Sequence, residues 1–205
     1  MRNDYQKLID DFIKAGITNR AEKMERNIFE IAGYPHYENV VSNILAFFFD
    51  TREQHGYQDC WIKSLMECYL SKNLLDDVSS ESIVTNNIER EYSNGSDKRI
   101  DLLIDCGSFL VLIENKIYAS LYNDLEIYSL MAKNYLKKEG LEDTPIIKIV
   151  LSLFEVNNIS QKDVINITYE ELINQVIKNK EKYQTSLKWS MFCDEFIENI
   201  KRRKK

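Results

Sequence analysis

With only two prolines and six glycines in 205 residues, the chain has little material for flexible linkers or a loop-dominated fold. Cysteine is sparse as well. Cys60, Cys68, Cys106 and Cys193 form no CxxC pair and have no neighbouring histidine, so the spacing of a zinc site or a disulfide framework is missing and buried free thiols are expected. No apolar run approaches the length of a membrane span, and the opening MRNDYQKLIDDF lacks the apolar core of a signal peptide; a cytoplasmic protein without a membrane partner is the expectation. A basic excess is missing too: 27 Lys and Arg against 33 Asp and Glu leave a formal charge of −6. That argues against a protein that coats DNA irrespective of sequence. It leaves room for an enzyme acting on nucleic acid, because carboxylates that hold a cation put negative charge where a phosphate must approach.

What is present is an ordinary globular composition, 44% hydrophobic and 29% charged, long enough for a single domain over residues 1–205. Three parts are expected within it: a helical N-terminal layer over 1–75, an α/β core over 80–180, and a C-terminal helix with a basic tail over 186–205. Residues 4–32 have helical periodicity, with Leu8, Phe12 and Ile13 and then Ile28, Phe29 and Ile31 as apolar faces, punctuated by Gly16 and Gly33. Further helices are expected over 37–50 and 59–70. After Asp76 the pattern changes to strands at 82–92, 99–105 and 108–116, with Asn94-Gly95 and Cys106-Gly107 as tight turns. A long helix over 118–138 stops at Gly140, IIKIVLSLF reads as a fourth strand, and helices follow over 169–179 and 187–202. The expected fold is therefore α/β, a mixed sheet of about four strands flanked by helices.

The stretch FLVLIENKIY carries the chemistry. An apolar strand ends in Glu114 and Lys116, which share one face because side chains alternate along a strand. If Cys106-Gly107 is a two-residue turn, Asp105 faces Ser108, Asp101 lies opposite Leu112, and Asp101 is the diagonal neighbour of Glu114. Diagonal neighbours sit about 7–8 Å apart at Cα, close enough for two carboxylates to share one cation. Both faces of these strands are otherwise apolar, so three charges gather at one end. Hard oxygen ligands favour Mg²⁺, for which Mn²⁺ can substitute, and a lysine beside them can steady the charge that develops on a phosphate under attack. The alternative is an Asp/Glu/Lys ion-pair network that closes the end of a sheet.

RIDLLID followed by LVLIENKIYA resembles the signature of the PD-(D/E)xK nuclease superfamily, an Asp opening one strand and E-x-K closing the next. YNDLEIY resembles the Q-L-x-x-Y that follows this motif in many bacterial members. YENVVSNILAFFFDTREQHG resembles the helix that precedes the sheet in one bacterial branch, which places a glutamate there. The likeness runs over roughly residues 28–175. It implies a restriction-endonuclease-like fold, Asp101 and Glu114 as metal ligands, Lys116 as the catalytic lysine and main-chain coordination by Asn115. Glu38 matches the helix glutamate and either completes the metal shell or is a helix N-terminal acid favoured by the macrodipole.

Glu91 is a weaker candidate. A two-residue turn at Asn94-Gly95 sets both Glu89 and Glu91 on the wrong face, whereas a loop of three or five residues brings Glu89 opposite Asp101. Asp124 stands where the family commonly has Gln, and would repel a phosphate or recruit a cation. Tyr128, one turn on, is expected on the same side. The implied activity is Mg²⁺-dependent hydrolysis of nucleic acid, DNA first, in defence against phage or other foreign DNA. An RNA nuclease with the same metal site, and a non-catalytic nuclease-fold module, are the alternatives. A homodimer or an accessory defence protein stays open as a partner. Lys133 and Lys137 suit a phosphate-tracking or a merely solvated helix face, and Tyr118 and Tyr122 suit base stacking or packing. His36 and His55 lack metal-ligating neighbours.

Overall fold

The computed structural model describes residues 7, 11, 25–34, 37–73, 82–95, 97–117, 125–156, 159 and 161–203. Its elements run α1 (Ile28–Ala32), α2 (Glu38–Phe49), α3 (Cys60–Lys72), β1 (Asn87–Tyr92), β2 (Ile100–Asp105), β3 (Leu110–Lys116), α4 (Leu125–Glu139), β4 (Ile146–Ser152), β5 (Val164–Thr168), α5 (Tyr169–Lys180) and α6 (Leu187–Arg202). The sheet has five strands in the order β1-β2-β3-β4-β5. Its first three strands are antiparallel and its last three parallel, so the expected mixed α/β architecture is present.

The strand beyond the expected four is β5, VINIT, whose apolar pattern is broken by Asn166. The structure explains that polar residue. Asn166 Nδ2 donates to the Val150 carbonyl at 2.9 Å and to Ser152 Oγ at 2.7 Å, while its Oδ1 accepts the Val156 N–H at 2.9 Å. A half-buried asparagine on the edge strand thus satisfies the turn that follows β4.

β3 lies in the middle of the sheet and is buried along nearly its whole length, which fixes where its last residues point. Leu102, Ile104, Val111, Ile113, Ile149 and Leu151 cover one face and pack against α2, α3, α5 and α6. Phe48 and Trp61 anchor that layer, stacked at 4.8 Å between ring centroids. Leu103, Leu110, Leu112 and Val150 cover the opposite face and pack beneath Leu125, Tyr128, Met131, Ala132 and Tyr135 of α4. Helices on both sides and apolar strand faces toward each are the arrangement that buries a sheet with parallel pairs. No helix among the described residues is long and apolar enough to cross a membrane. All four cysteines are free, and Cys60, Cys68 and Cys193 are buried.

Two features of the N-terminal layer differ from expectation or refine it. α1 has five residues, and only Phe29 is buried; Ile28 and Ile31 are 51% and 66% exposed. A capping box between Asn27 and Glu30 holds this single turn, and Phe29 docks on Phe192 and Phe196 of α6. So short a helix presents one residue to its neighbour rather than a stripe. The upstream face of Leu8, Phe12 and Ile13 lies outside the described residues.

The loop after α2 is built around His55, which is fully buried. Its Nδ1 accepts the Tyr57 N–H at 2.9 Å, so Nε2 carries the proton and donates to the Asp50 carbonyl at 3.0 Å. Burial holds the imidazole below its usual pKa, in the neutral form this bonding needs. Gly56 follows at φ +76°, and a Cβ there would sit 2.7 Å from the Gln184 carbonyl oxygen. Gly56→Ala is therefore expected to cost about 2–4 kcal/mol, from left-handed strain plus a backbone clash. Gly33→Ala, at φ +77° with nothing within 4 Å, meets only the strain, about 1 kcal/mol. Urea midpoints at unchanged m-value would check the contrast.

Candidate active site at the open end of the central strands

The β2–β3 hairpin differs in register from the two-residue turn expected at Cys106-Gly107. Asp105 pairs with Leu110, Leu103 with Leu112 and Leu102 with Ile113. Residues 106–109 form the connection, closed by the Cys106 N–H to the Phe109 carbonyl at 3.0 Å and by Asp105 Oδ1 accepting the Gly107 N–H at 2.7 Å. That polar cap makes the longer turn stable. The slip is two residues, so every side chain keeps its face. Its consequence is local: Asp101 comes level with Glu114 rather than diagonal to it.

At this end the two strands part. Ladder pairing between β2 and β3 stops at Leu102 and Ile113, while β3 continues beside β4 as far as Lys116 and Ser152. In place of a ladder bond, the Asn115 N–H donates to Asp101 Oδ2 at 2.7 Å. Glu114 is 1% exposed, and its Oε1 lies 2.8 Å from Lys116 Nζ. The structure thus gathers Asp101, Glu114 and Lys116 at one point on the face covered by α4, with the Asn115 main chain between them.

β1 adds a third acid. Arg90 pairs with Leu102 and Tyr92 with Ile100, so Glu91 falls level with Asp101, at a kink where its φ is +52°. Glu89 lies beside Leu103, deeper in the sheet. The register follows from a connection over residues 93–99, much longer than the tight turn read from Asn94-Gly95. Glu91 also lies 3.7 Å from Arg99, at the solvent rim.

The electrostatics follow from this crowding. Burial, then the neighbouring Glu114 carboxylate, push the Asp101 pKa up to about 7; the Asn115 N–H and the Lys116 ammonium oppose them, and Glu91 adds to the rise. Lys116 is pulled down by burial, yet the Glu114 hydrogen bond and the charges of Glu114, Asp101 and Glu38 leave its pKa raised. Tyr128, buried on α4, has its pKa raised by burial and then by the charges of Glu114, Asp101 and Glu91. Its phenol is therefore held in the neutral form.

Glu38 opens α2, and its Oε1 accepts the Ile117 N–H at 2.7 Å. It reaches the strand end, one residue beyond Lys116, where a main-chain donor engages it. Asn115 has a second role that its position inside the motif did not reveal. Its side chain points to the opposite face, 1% exposed, where Nδ2 donates to Ser42 Oγ at 2.9 Å and to the Glu38 carbonyl at 3.4 Å. Asn115 Oδ1 accepts from the Tyr169 hydroxyl at 2.5 Å. Ser42 and Tyr169 went unnoticed in the sequence. The available signal was parity: a residue between Glu114 and Lys116 must face the other layer, and an asparagine there needs partners.

Asp124, Tyr118, Tyr122 and His36 lie outside the described residues. Lys133 and Lys137 are exposed on α4. The first arginine of the basic tail, Arg202, is engaged by Glu198 and Glu30.

Among the described residues, no three Asp, Glu, His or Cys side chains form a closed metal cage. Two crowded carboxylates beside a main-chain carbonyl form an open donor set instead. That set fits Mg²⁺, which keeps several waters and takes only one or two protein carboxylates, better than an ion needing a full protein cage. A proton on Asp101 up to about pH 7 indicates the same need for compensating positive charge.

No curated protein matches the chain by sequence. Among solved structures, the small subunit of the heterodimeric restriction endonuclease R.BspD6I matches at 13% identity and a TM-score of 0.31, covering 72% of this chain and 100% of that one. A family model described as the PD-(D/E)XK nuclease superfamily matches residues 26–204. With that match spanning nearly the whole chain, the protein belongs to the PD-(D/E)XK nuclease superfamily.

Proposed function

We propose that the chain is a divalent-cation-dependent nuclease that hydrolyses phosphodiester bonds, with DNA as substrate and defence against foreign DNA as its setting. The observation that carries the reading is the placement of Asp101 level with Glu114, with Lys116 Nζ 2.8 Å from Glu114, where β2 and β3 part. DNA and the defence setting rest on the family resemblance alone.

In this reading Asp101, Glu114 and the Asn115 carbonyl hold Mg²⁺, with Mn²⁺ as a substitute. The ion supplies Lewis acidity and an activated water. Lys116, kept charged by Glu114 and Glu38, presents its ammonium to a non-bridging phosphate oxygen and steadies the charge that gathers there. Tyr128 donates from the helix side as a neutral phenol. Glu91 lines the rim, and Glu38 orients the end of β3 through the Ile117 N–H. Asp124 stands where the family commonly has Gln, so the family's substrate contact does not carry over to it, and it is a weak candidate for the site.

The test is cleavage of supercoiled plasmid, linear duplex and RNA with Mg²⁺, Mn²⁺ or EDTA. Cutting of DNA that requires the ion supports the proposal. Cutting of RNA alone replaces the substrate, and cutting in EDTA removes the metal from the account. Glu38→Gln keeps an acceptor for the Ile117 N–H, so it is expected to leave the melting temperature nearly unchanged. If Glu38 acts through that bond rather than as a ligand, the variant lowers the cleavage rate less than about tenfold, whereas loss of a metal ligand lowers it far more.

A further inference from the structure

The geometry points to Ser42 and Tyr169 as positioning residues that set the Asn115 peptide of the candidate metal site from the opposite side of the sheet. The inference rests on the metal-site reading above and names residues that neither the motif nor the family match assigns.

An asparagine amide has two donor hydrogens and an acceptor oxygen. Here Nδ2 donates to Ser42 Oγ at 2.9 Å and Oδ1 accepts from the Tyr169 hydroxyl at 2.5 Å. Ser42, Asn115 and Tyr169 are 4%, 1% and 1% exposed, so no water competes for these bonds. The partners come from different elements, Ser42 from α2 and Tyr169 from the first position of α5. The asparagine side chain is therefore gripped from both sides and cannot rotate without breaking a buried bond, which costs more than an exposed one.

That grip is transmitted to the main chain. Asn115 is the residue whose N–H donates to Asp101 Oδ2 at 2.7 Å. The next carbonyl, Lys116 O, accepts the N–H of Leu153, just past β4, at 3.1 Å. Main-chain groups of successive strand residues point to alternate edges, so the Asn115 N–H and carbonyl both lie on the edge toward β2 and Asp101. Because β2 has stopped pairing there, no ladder holds the Asn115 peptide on that edge. The Ser42–Asn115–Tyr169 bonds supply the constraint that the missing ladder would have given.

A purely structural network would behave differently, and the molecule contains one for comparison. Asn179 Nδ2 donates to buried Ser64 Oγ at 3.1 Å between α5 and α3. It sits toward the other end of α5, about 15 Å along the helix from Tyr169. The experiment is calorimetric titration of Mn²⁺ into the full-length protein and into Tyr169→Phe, Ser42→Ala and Ser64→Ala, with melting temperatures measured alongside. Tyr169→Phe and Ser42→Ala are expected to weaken Mn²⁺ binding about tenfold, as removal of an outer-shell partner does, while Ser64→Ala stays within about twofold despite a similar loss of melting temperature. If Tyr169→Phe and Ser42→Ala fold and bind Mn²⁺ like the parent, or if Ser64→Ala weakens binding equally, the positioning role is wrong and the metal site stands. If the parent protein binds no Mn²⁺, the metal reading falls and the positioning role falls with it.

Discussion

Asp101→Asn is expected to raise the melting temperature of the metal-free protein at about pH 8 while abolishing both cleavage and stabilisation by Mg²⁺. The physical origin is the crowding of Asp101 by burial and by Glu114, which lifts its folded pKa from 3.8 to about 7. A carboxyl whose folded pKa is raised holds its proton more tightly in the native state than in the unfolded one. Stability from this group therefore falls as pH rises from about 4 to about 7, and stays low above that window. The full shift corresponds to about 4 kcal/mol, and partial solvent access reduces this to about 2 kcal/mol. For a chain of this size that is about 5 °C of melting temperature. Asparagine keeps an acceptor for the Asn115 N–H but carries no charge, so it removes the cost and not the bond. In the parent protein a divalent ion does the same by neutralisation, worth about 2.7 kcal/mol at a hundredfold excess over Kd. Its binding must tighten with pH through the same window, because the ion displaces the Asp101 proton. Thermal scans at about pH 5 and about pH 8, with and without Mg²⁺, separate these effects. A variant less stable than the parent at the higher pH would contradict them.

Lys116→Ala is expected to lower cleavage by about 10²–10⁴-fold while leaving metal binding intact or tighter. Lys116 Nζ lies 2.8 Å from Glu114 Oε1, so an ion bound there would compete with it for that carboxylate. Removing the ammonium leaves two carboxylates with less compensating charge, which favours a divalent cation and disfavours the metal-free state. Without metal the variant is expected to lose about 2 kcal/mol, below the usual cost of breaking a buried pair because the lysine retains 14% exposure. The lysine pKa is raised from 10.5, so the ammonium keeps its charge up to that value, and on the alkaline side the stability from this group is lost only above it. Calorimetric titration of Mg²⁺ beside a plasmid-nicking assay would measure both quantities. Equal loss of binding and cleavage would make Lys116 a structural group rather than a catalytic one.

The face shared by Asp101, Glu114 and Lys116 was legible because strand side chains repeat every two residues. The real β2–β3 turn is longer than the one read from Cys106-Gly107, yet a slip of two residues preserves every face. Glu91 was not legible in the same way. Its position depends on the length of the connection over 93–99, and Asn94-Gly95 suggested a tight turn that does not form. β5 was missed because Asn166 interrupts a short apolar run for the sake of the turn after β4. Ser42 and Tyr169 lie 73 and 54 residues from Asn115, and their meeting depends on how α2 and α5 stack on the sheet. No local pattern records that stacking. The helix expected over 169–179 does begin at Tyr169, where Thr168 and Glu171 form a capping box.

If Asp101 and Glu114 hold a divalent ion where β2 and β3 part, anomalous diffraction from crystals grown with Mn²⁺ locates it. The expected result is a peak within coordination distance of both carboxylates and the Asn115 carbonyl, and none in crystals of Asp101→Asn. A peak bound elsewhere, or an ordered site in which Lys116 alone fills the space between the two carboxylates at saturating Mn²⁺, would contradict it.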